Sequence, residues 1–488
     1  MKTYIKNLFL LPALIAGLGL IPAGRVTAQT FTTLHSFTVR SGASPYTNSD
    51  GAYPQAGLIL SDNTLYGTAH FGGSSGKGTV FAVNPNGTGF TNLHSFIGLD
   101  GANPSAGLIL SGNTLYGTAG YGGIFGNGTV FKVNTNGTVF ITLHGFTAAP
   151  SYTNSDGANP VAGLILSGNT LYGMAGGGGT SSNGTVFAVN TAGLGFTNLH
   201  SFTAESYNSA IDAYTNSDGA NPVAGLILSG NTLYGTAQSG GSSGNGTVFA
   251  VNTNGTGFTT LHSFTAFSNY TNSDGANPYA GLILSGNTLY GTAEGGGSSG
   301  GGTVFAVNTN GTGFTTLHSF TAFSGSPFFA NSDGAYPYAG LILSGNTLYG
   351  TAQEGGSSGN GTVFAVNTNG TGFTNLHSFN YSDGANPYAG LILSGNTLYG
   401  TASQGGSLNN GTVFSLSLPP PQLTIIPSGA NVILTWPTYA PGVTLQSTTN
   451  LVSPAVWSNV SPEPVVVNGL NTFIDAISGT KKFYRLSQ

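Results

Sequence analysis

One four-part cassette recurs seven times along the chain and restricts the possible folds more than any other feature. Its fifth copy, Asp274–Phe320, reads DGANPYAGLILSGNTLYGTAEGGGSSGGGTVFAVNTNGTGFTTLHSF. Self-similarity at such a period is typical of repeat architectures, in which one unit cannot bury its apolar faces without its neighbours. The repeat therefore predicts one continuous array over residues 31–417, although a length of 488 residues alone would suggest several domains.

Each cassette contains four strand-like runs separated by turns. In the fifth copy these runs are AGLIL (Ala280–Leu284), TLYGTA (Thr288–Ala293), GTVFAVN (Gly302–Asn308) and FTTLHSF (Phe314–Phe320). Their β-branched and aromatic residues favour strands, and the SGN and NTNGTG segments between them are turn sequences. The continuous apolar run AGLIL predicts a first strand covered on both faces. Four antiparallel strands with two apolar faces are typical of a propeller blade.

The copies of the four runs are out of phase with the ends of the chain. The first LHSF precedes the first cassette, and the last cassette lacks one. Pairing of the early FTTLHSF (Phe31–Phe37) with GTVFSLS (Gly411–Ser417) would complete the last blade. An open solenoid is the alternative, but it would leave this first strand unpaired. The sequence therefore predicts an all-β fold: a seven-bladed β-propeller closed by its N-terminal strand and followed by a small β-sandwich.

The N-terminus has the features of an export signal. Lys2 and Lys6 precede the apolar stretch Leu8–Ile21, and small residues before Gln29 fit a cleavage site. We therefore predict a signal peptide at 1–28 and a secreted or cell-surface protein. The apolar stretch is too short and too interrupted by Pro and Gly for a membrane span, so we expect no integral membrane segment in the mature chain.

The C-terminal region has a different composition. The propeller is predicted to occupy residues 29–418, and the three prolines at 419–421 are a stiff linker. Runs such as NVILTWP and PVVVNG in residues 422–488 alternate in the manner of a small β-sandwich.

Composition excludes several classes of function. The absence of cysteine rules out disulfides, thiol catalysis and thiolate metal sites. Without Lys2, Lys6 and Arg25 the mature chain has six basic and fourteen acidic residues, a charge near −8. Because no basic stripe is present, the sequence argues against a nucleic-acid partner. We expect a monomer without a cofactor or metal.

The combination of LYGTA, GG, GTVF, LH-F and DGAxP resembles the bacterial GloVer (Gloeo_Verruco) tandem repeat over residues 31–417. That resemblance implies a kelch-like strand layout and export, and it implies no established activity. The chain departs from the pattern in having Ala after LYGT, and at Asp62, Gly145 and Met174. The block from LTWP to FYRL resembles a fibronectin/immunoglobulin-like module of exported bacterial proteins.

The repeated polar residues are predicted to be structural. Seven of the eight histidines belong to LHSF or LHGF, and alternation would place His318 on one strand face with Phe314 and Phe320. A hydrogen bond to a neighbouring strand or turn is the interpretation favoured over metal binding or catalysis. The seven DGA aspartates offer one carboxylate each and are read as turn residues, not calcium ligands.

Candidate binding residues are those that break the repetition on the face with variable loops. Between the second and third runs they include Gln404 and eight residues that we take as the predicted site: His70, Phe71, Tyr121, Phe125, Gln238, Glu294, Gln353 and Glu354. In the linkers that precede the DGA elements they include Tyr152, Glu205, Tyr207, Asp212, Tyr214, Phe267, Tyr270, Phe323, Phe328 and Phe329.

Two readings of these residues stay open besides simple loop variation. Aromatic rings with Gln, Glu and Asn suit binding of an extracellular carbohydrate or protein, and we favour this non-catalytic function. Glu294 and Glu354 could instead form an acid/base pair of a polysaccharide hydrolase or lyase at the propeller mouth. A structural matrix component is a further alternative. The scarcity of charge argues against the enzyme, since pKa tuning needs charged neighbours.

Overall fold

The structure is a computed structural model that describes residues 29–42, 44–324, 329–419, 421–437, 443–467, 470–477 and 481–487. The predicted signal peptide at 1–28, Pro420 of the predicted linker and Phe328 lie outside these residues.

The described residues form strands joined by turns and loops, with almost no helix, which confirms the predicted all-β class. Within them the one helical element is a 3-10 turn at Pro150–Tyr152. No helix in these ranges has the length and apolar character needed to cross a membrane. Seven four-stranded antiparallel sheets follow one another along the repeat region and give a propeller-like fold. We number these sheets one to seven in chain order.

The four strands of each sheet have nearly constant bounds. First strands span Ile59–Ser61, Ile109–Ser111, Ile165–Ser167, Ile227–Ser229, Ile283–Ser285, Ile342–Ser344 and Ile392–Ser394. Second strands span Thr64–Ala69, Thr114–Ala119, Thr170–Ala175, Thr232–Ala237, Thr288–Ala293, Thr347–Ala352 and Thr397–Ala402. Third strands span Thr79–Val83, Thr129–Asn134, Thr185–Asn190, Thr247–Asn252, Thr303–Asn308, Thr362–Asn367 and Thr412–Ser417. Fourth strands span Thr91–Ser95, Phe140–Gly145, Thr197–Ser201, Thr259–Ser263, Thr315–Ser319, Thr374–Ser378 and, for sheet seven, Thr30–Ser36.

The fourth strand of sheet seven comes from the other end of the chain. Thr30–Ser36 pairs antiparallel with Thr412–Ser417, with Phe31 opposite Leu416. The Phe31 ring stacks on His377 of sheet six at a centroid distance of 4.0 Å. Phe314 of sheet five makes the same kind of contact with His262 of sheet four, at 3.7 Å. In sheet seven, Phe31 therefore has the position that Phe314 has in sheet five.

The predicted first strand AGLIL is wrong in its extent. The strand covers only Ile283–Ser285 in sheet five, and Ile283 and Leu284 are half-buried, not covered on both faces. The carbonyl oxygen of Ala280 accepts a hydrogen bond from the Thr236 hydroxyl of sheet four at 3.0 Å. Because this segment bonds to the neighbouring sheet, its backbone is not available for the ladder of its own sheet.

The prediction that His318 shares one strand face with both Phe314 and Phe320 is wrong for Phe314. In sheet five Phe305 pairs with Thr316 and Val304 pairs with His318, so Leu317 is an extra residue in a β-bulge. A bulge moves the following side chains to the opposite face. As a result Phe314 packs towards sheet four, whereas His318 and Phe320 pack towards sheet six.

The core lies between neighbouring sheets. Between sheets four and five, Val248 and Phe264 of one sheet pack against Leu289 and Phe305 of the next, and all four side chains are fully buried. Burying one such side chain contributes about 1.5–3 kcal/mol. Gly291 pairs with Phe305, and a Cβ at Gly291 would stand 2.6 Å from the Phe305 ring. The glycine of LYG is therefore required by the ring above it.

Hydrogen bonds from the LYGT threonines join the sheets. Six of these hydroxyls donate to the carbonyl oxygen of an Ala-Gly segment in the following sheet, including Thr401 of sheet seven to Ala56 of sheet one at 3.1 Å. Met174 stands where the other repeats have this threonine, and its side chain is fully buried. A thioether has no hydroxyl to donate, so the departure at Met174 replaces this hydrogen bond by apolar packing.

The LHSF histidines bond to the DGA aspartates. His262 Nε2 lies 2.9 Å from Asp274 Oδ2, and the other six pairs are 2.8–3.1 Å apart. Asp274 also accepts bonds from the backbone N–H and the hydroxyl of Thr265. Burial alone would raise the pKa of Asp274, but the bonds from His262 and Thr265 outweigh it and hold the pKa below its usual value. The predicted hydrogen bond between histidine and turn is confirmed, and it ties each linker to the sheet before it.

The longest linker, at 203–217, forms a hairpin of its own. Ser206–Asn208 pairs with Ala213–Thr215, and Tyr207 donates a hydrogen bond of 2.7 Å from its hydroxyl to Asp212. The Tyr207 and Tyr214 rings are 5.5 Å apart, and both are more than half exposed.

Two further sheets lie near the C-terminus. One contains Thr424–Ser428, Asn431–Pro437, Leu470–Ala476 and Val465–Val467, and the other contains Ser458–Asn459, Thr444–Thr448 and Phe483–Ser487. Leu434, Trp436 and Phe473 of the first sheet form one core with Leu445 of the second and with Val460. Both sheets therefore bury one face against a shared interior, as strands of alternating polarity require.

Candidate functional site

A cavity of about 550 Å³ is lined by residues of all seven sheets, and we call it the central cavity. Each sheet contributes residues of the three-residue segment that ends in Ala-Gly, such as Tyr279–Gly281 in sheet five. The glycines let the backbones of neighbouring sheets approach, since a Cβ on Gly281 would stand 2.9 Å from the Gly225 carbonyl oxygen. The constant part of the wall is therefore backbone.

Two positions per repeat vary at this wall or directly behind it. One precedes Ala-Gly: Gln55, Ser105, Val161, Val223, Tyr279, Tyr338 and Tyr388. The other follows the second strand: His70, Gly120, Gly176, Gln238, Glu294, Gln353 and Ser403.

In three repeats the second kind of residue forms a hydrogen bond with the first kind in the next sheet. His70 Nδ1 lies 2.8 Å from the Ser105 hydroxyl oxygen, and Gln353 Nε2 donates to the Tyr388 hydroxyl oxygen at 2.7 Å. The Tyr338 hydroxyl donates to Glu294 Oε1 at 2.5 Å.

The cavity wall is strongly asymmetric. Tyr279, Tyr338 and Tyr388 come from consecutive sheets, and each neighbouring pair of rings has a centroid distance of 5.1 Å. On the other side Val161 and Val223 line the cavity, each facing a glycine of the preceding sheet. The aromatic residues of the wall therefore collect on the side formed by sheets five to seven.

The protonation states of this wall follow from burial. Burial raises the pKa of Glu294, although the bond from Tyr338 partly opposes this change. Burial, and then the hydrogen bond to Glu294, raise the pKa of Tyr338. Burial lowers the pKa of His70 to about 4, so this imidazole is neutral at pH 7. The wall therefore offers hydroxyl and amide groups and one carboxyl group, and the neutral His70 imidazole supports Ser105 from behind.

The structure separates the eight predicted site residues into two groups. Gln238 and Glu294 line the central cavity, and His70 and Gln353 bond to residues that line it. The other four are Phe71, Tyr121, Phe125 and Glu354. Phe71 contacts Tyr53, and the side chains of Tyr121 and Phe125 are about half exposed. Among the described residues the cavity wall includes Glu294 but not Glu354, so the two do not share this cavity.

Sequence reasoning missed the three tyrosines before Ala-Gly. They lie directly before the run interpreted as a covered strand and directly after the DGAxP element, and they were not among the candidate residues. The detectable signal is the series Gln, Ser, Val, Val, Tyr, Tyr, Tyr at a position whose neighbours are constant. Within the described residues no group of three or more His, Asp and Glu side chains is arranged to hold a metal ion.

No curated protein matches the chain. Solved structures with a similar fold include a putative 6-phosphogluconolactonase from Bacteroides fragilis (16% identity, 85% of this chain and 99% of that chain, TM-score 0.44). They also include an oligogalacturonate lyase from Vibrio parahaemolyticus (10% identity, 80% of this chain and 97% of that chain, TM-score 0.42). Likeness at this level carries no argument about activity.

The sequence comparison with protein families is decisive. The model of the Gloeobacter/Verrucomicrobia repeat matches residues 24–211, 203–329 and 326–431. These ranges contain every copy of the cassette and its out-of-phase first strand. This chain therefore belongs to the Gloeobacter/Verrucomicrobia repeat family.

Proposed function

We propose that the protein is an exported, non-catalytic β-propeller that binds an extracellular carbohydrate in the central cavity. The single observation that carries this proposal is the clustering of Tyr279, Tyr338 and Tyr388 with Glu294 on one side of that cavity. Aromatic faces beside a few fixed polar groups are the usual composition of a small-ligand site. Sugar rings present apolar faces and hydroxyl groups, and this wall complements both.

We further propose that the seven sheets are the blades of a closed ring. Support comes from contacts between the two ends of the array: the pairing of Thr30–Ser36 in sheet seven, and the bond from Thr401 to Ala56. In addition, a Cβ on Gly57 would stand 3.3 Å from the Gly390 carbonyl oxygen, a contact repeated between other neighbouring sheets. In this arrangement residues 29–418 form the propeller, and residues 422–488 form a β-sandwich that follows it in the chain. Residues 1–28 are removed on export.

Binding is favoured over catalysis by the make-up of the site. Hydrolysis of a glycosidic bond by the common mechanisms needs two carboxyl groups on either side of the bond. In the described part of the chain, Glu294 is the one acidic residue that lines the central cavity. For a lyase, the raised pKa of Tyr338 keeps its hydroxyl protonated and hydrogen-bonded to Glu294, so this tyrosine does not supply the base.

We expect Tyr338→Phe to weaken carbohydrate binding about tenfold, since it removes one hydroxyl and leaves the Glu294 carboxyl group without its partner. Glu294→Gln should have a similar effect, because an amide has one acceptor oxygen where the carboxylate has two. Titration calorimetry with cello-, malto- and xylo-oligosaccharides measures the change.

Tyr290→Phe is the matched control, because this buried tyrosine packs between sheets and does not line the cavity. It should leave the affinity unchanged. If no saccharide binds the unmodified protein, the proposed function is wrong. If the same saccharides bind and are cleaved, and Glu294→Gln stops cleavage, the hydrolase or lyase alternative replaces it.

A further inference from the structure

A second pocket, of about 370 Å³, lies above sheet five, and we call it the side pocket. Four aromatic residues line it: Phe267 and Tyr270 from the linker before Asp274, Phe323 from the linker after sheet five, and Tyr336. The Phe323 and Tyr336 rings have a centroid distance of 5.8 Å. Tyr270 is 84% exposed and Phe267 is 41% exposed, so ring faces are open to a ligand.

The side pocket shares part of its wall with the central cavity. Asn277 and Glu294 line both spaces. Glu294 therefore stands at the junction, with Oε1 accepting from Tyr338 on the central side. A ligand long enough to leave the central cavity at this point would pass Glu294 and meet the four aromatic rings.

A glycine keeps the side pocket open in this repeat. Gly295 lines it, and nothing stands within 4 Å of the place where a Cβ would be. At the same position the other repeats have Phe71, Tyr121, Gly177, Ser239, Glu354 and Gln404. In sheet one this position carries the Phe71 ring, which contacts the Tyr53 ring at a centroid distance of 5.9 Å. The absence of a side chain at Gly295, shared with Gly177 of sheet three, is therefore a departure from the other five repeats.

The acidic residues at the pocket disfavour an anionic ligand. Glu294 lines the pocket, and Glu354 pairs through its backbone with Ala335, the residue before Tyr336. Burial raises the pKa of Tyr336, and the nearby Glu354 and Glu294 raise it further. An anionic sugar would be repelled by these carboxyl groups, whereas the hydroxyls of a neutral sugar can donate to them.

We propose that the ligand is a neutral oligosaccharide chain, with one part in the central cavity and the next part stacked on the aromatic residues of the side pocket. This inference rests on the proposed function and adds to it the length and the charge of the ligand. Sites of about 300–1,000 Å³ hold small organic ligands, so two adjoining spaces of this size suit a chain better than a single sugar.

Gly295→Phe tests the inference with little strain, because the backbone there has no positive φ and the added ring enters open space. Affinities are measured for cello-, malto- and xylo-oligosaccharides of two to six units. For the unmodified protein we expect binding of one series to tighten about tenfold from the shortest to the longest member. In Gly295→Phe this gain with length should disappear, while the affinity for the shortest member stays unchanged.

Gly177→Phe is the matched control, since it places the same side chain at the equivalent position of sheet three. It should leave the gain with length intact, and circular dichroism spectra should show that both variants are folded. An unchanged gain in Gly295→Phe overturns the inference but leaves the proposed function standing, as does loss of all binding in a folded Gly295→Phe variant. Failure of every series to bind the unmodified protein overturns both.

Discussion

Replacing Phe31 by Ala should lower the free energy of unfolding of the repeat region by about 3 kcal/mol. The Phe31 ring stacks on His377 at 4.0 Å and lies 5.2 Å from Phe414 and 5.7 Å from Phe379. Truncation removes these contacts and leaves a gap between sheets six and seven. The change is read from urea unfolding followed by circular dichroism, because both tryptophans belong to the C-terminal residues and report on them alone.

Phe314→Ala is the matched control, because Phe314 makes the same contacts with His262, Phe264 and Phe305 inside the array. If Thr30–Ser36 belongs to the cooperative core, the two substitutions should cost nearly the same. A large loss for Phe314→Ala with no loss for Phe31→Ala would show that the N-terminal strand is dispensable. The closed-ring proposal would then be wrong.

Asp274→Asn should destabilise the protein by about 2 kcal/mol at pH 7. The buried carboxylate accepts bonds from His262 and from the backbone N–H and hydroxyl of Thr265. An amide has a single acceptor oxygen and presents an N–H to one of these donors. Asp62→Asn is the control, since Asp62 is an exposed turn residue and its replacement should change stability by less than about 0.5 kcal/mol.

The cost of Asp274→Asn should also depend on pH. The folded protein lowers the pKa of Asp274 below the ordinary 3.8. The stabilisation from the carboxylate is therefore complete above about pH 4 and is lost as the pH falls through the lowered value. Five other DGA aspartates are shifted in the same direction: Asp50, Asp100, Asp156, Asp218 and Asp333.

Thermal unfolding of the unmodified protein should consequently occur at lower temperature at each step below pH 4. The difference between the unmodified protein and Asp274→Asn should shrink over the same range. A difference that is constant from pH 7 to pH 2 would show that the bonds to His262 and Thr265 do not depend on the charge of Asp274.

Local features of the repeat were predictable because they depend on residues close in the chain. The second, third and fourth strands follow β-branched and aromatic runs between turn residues, and the structure places them within a residue or two of the predicted bounds. The LHSF histidine was correctly assigned a structural hydrogen bond. Its partner, the DGA aspartate, was predicted only as a turn residue, since the linker between them varies from three residues at 97–99 to fifteen at 203–217.

The candidate site was predicted only in part. Glu294, Gln238, His70 and Gln353 were found because they break the repetition in a glycine-rich loop. Tyr338, which bonds to Glu294, lies 44 positions further along the chain, in the next repeat. Alternation along one strand shows which of its residues share a face. It does not show which residues of different sheets line the same cavity.

The sequence by itself determined the all-β class, the seven copies, the turns and the absence of disulfides, because each follows from composition or from contacts between neighbours in the chain. Only the tertiary structure decided the β-bulge at Leu317, the short first strand at Ile283–Ser285 and the grouping of Tyr279, Tyr338 and Tyr388. The bulge lies in the pairing of two strands of one sheet, whereas the first strand and the tyrosines depend on contacts between different sheets. At the first strand of sheet five, the Ala280 carbonyl oxygen accepts a hydrogen bond from the neighbouring sheet. That bond competes with pairing inside its own sheet, and the strand is shorter than its sequence pattern predicts.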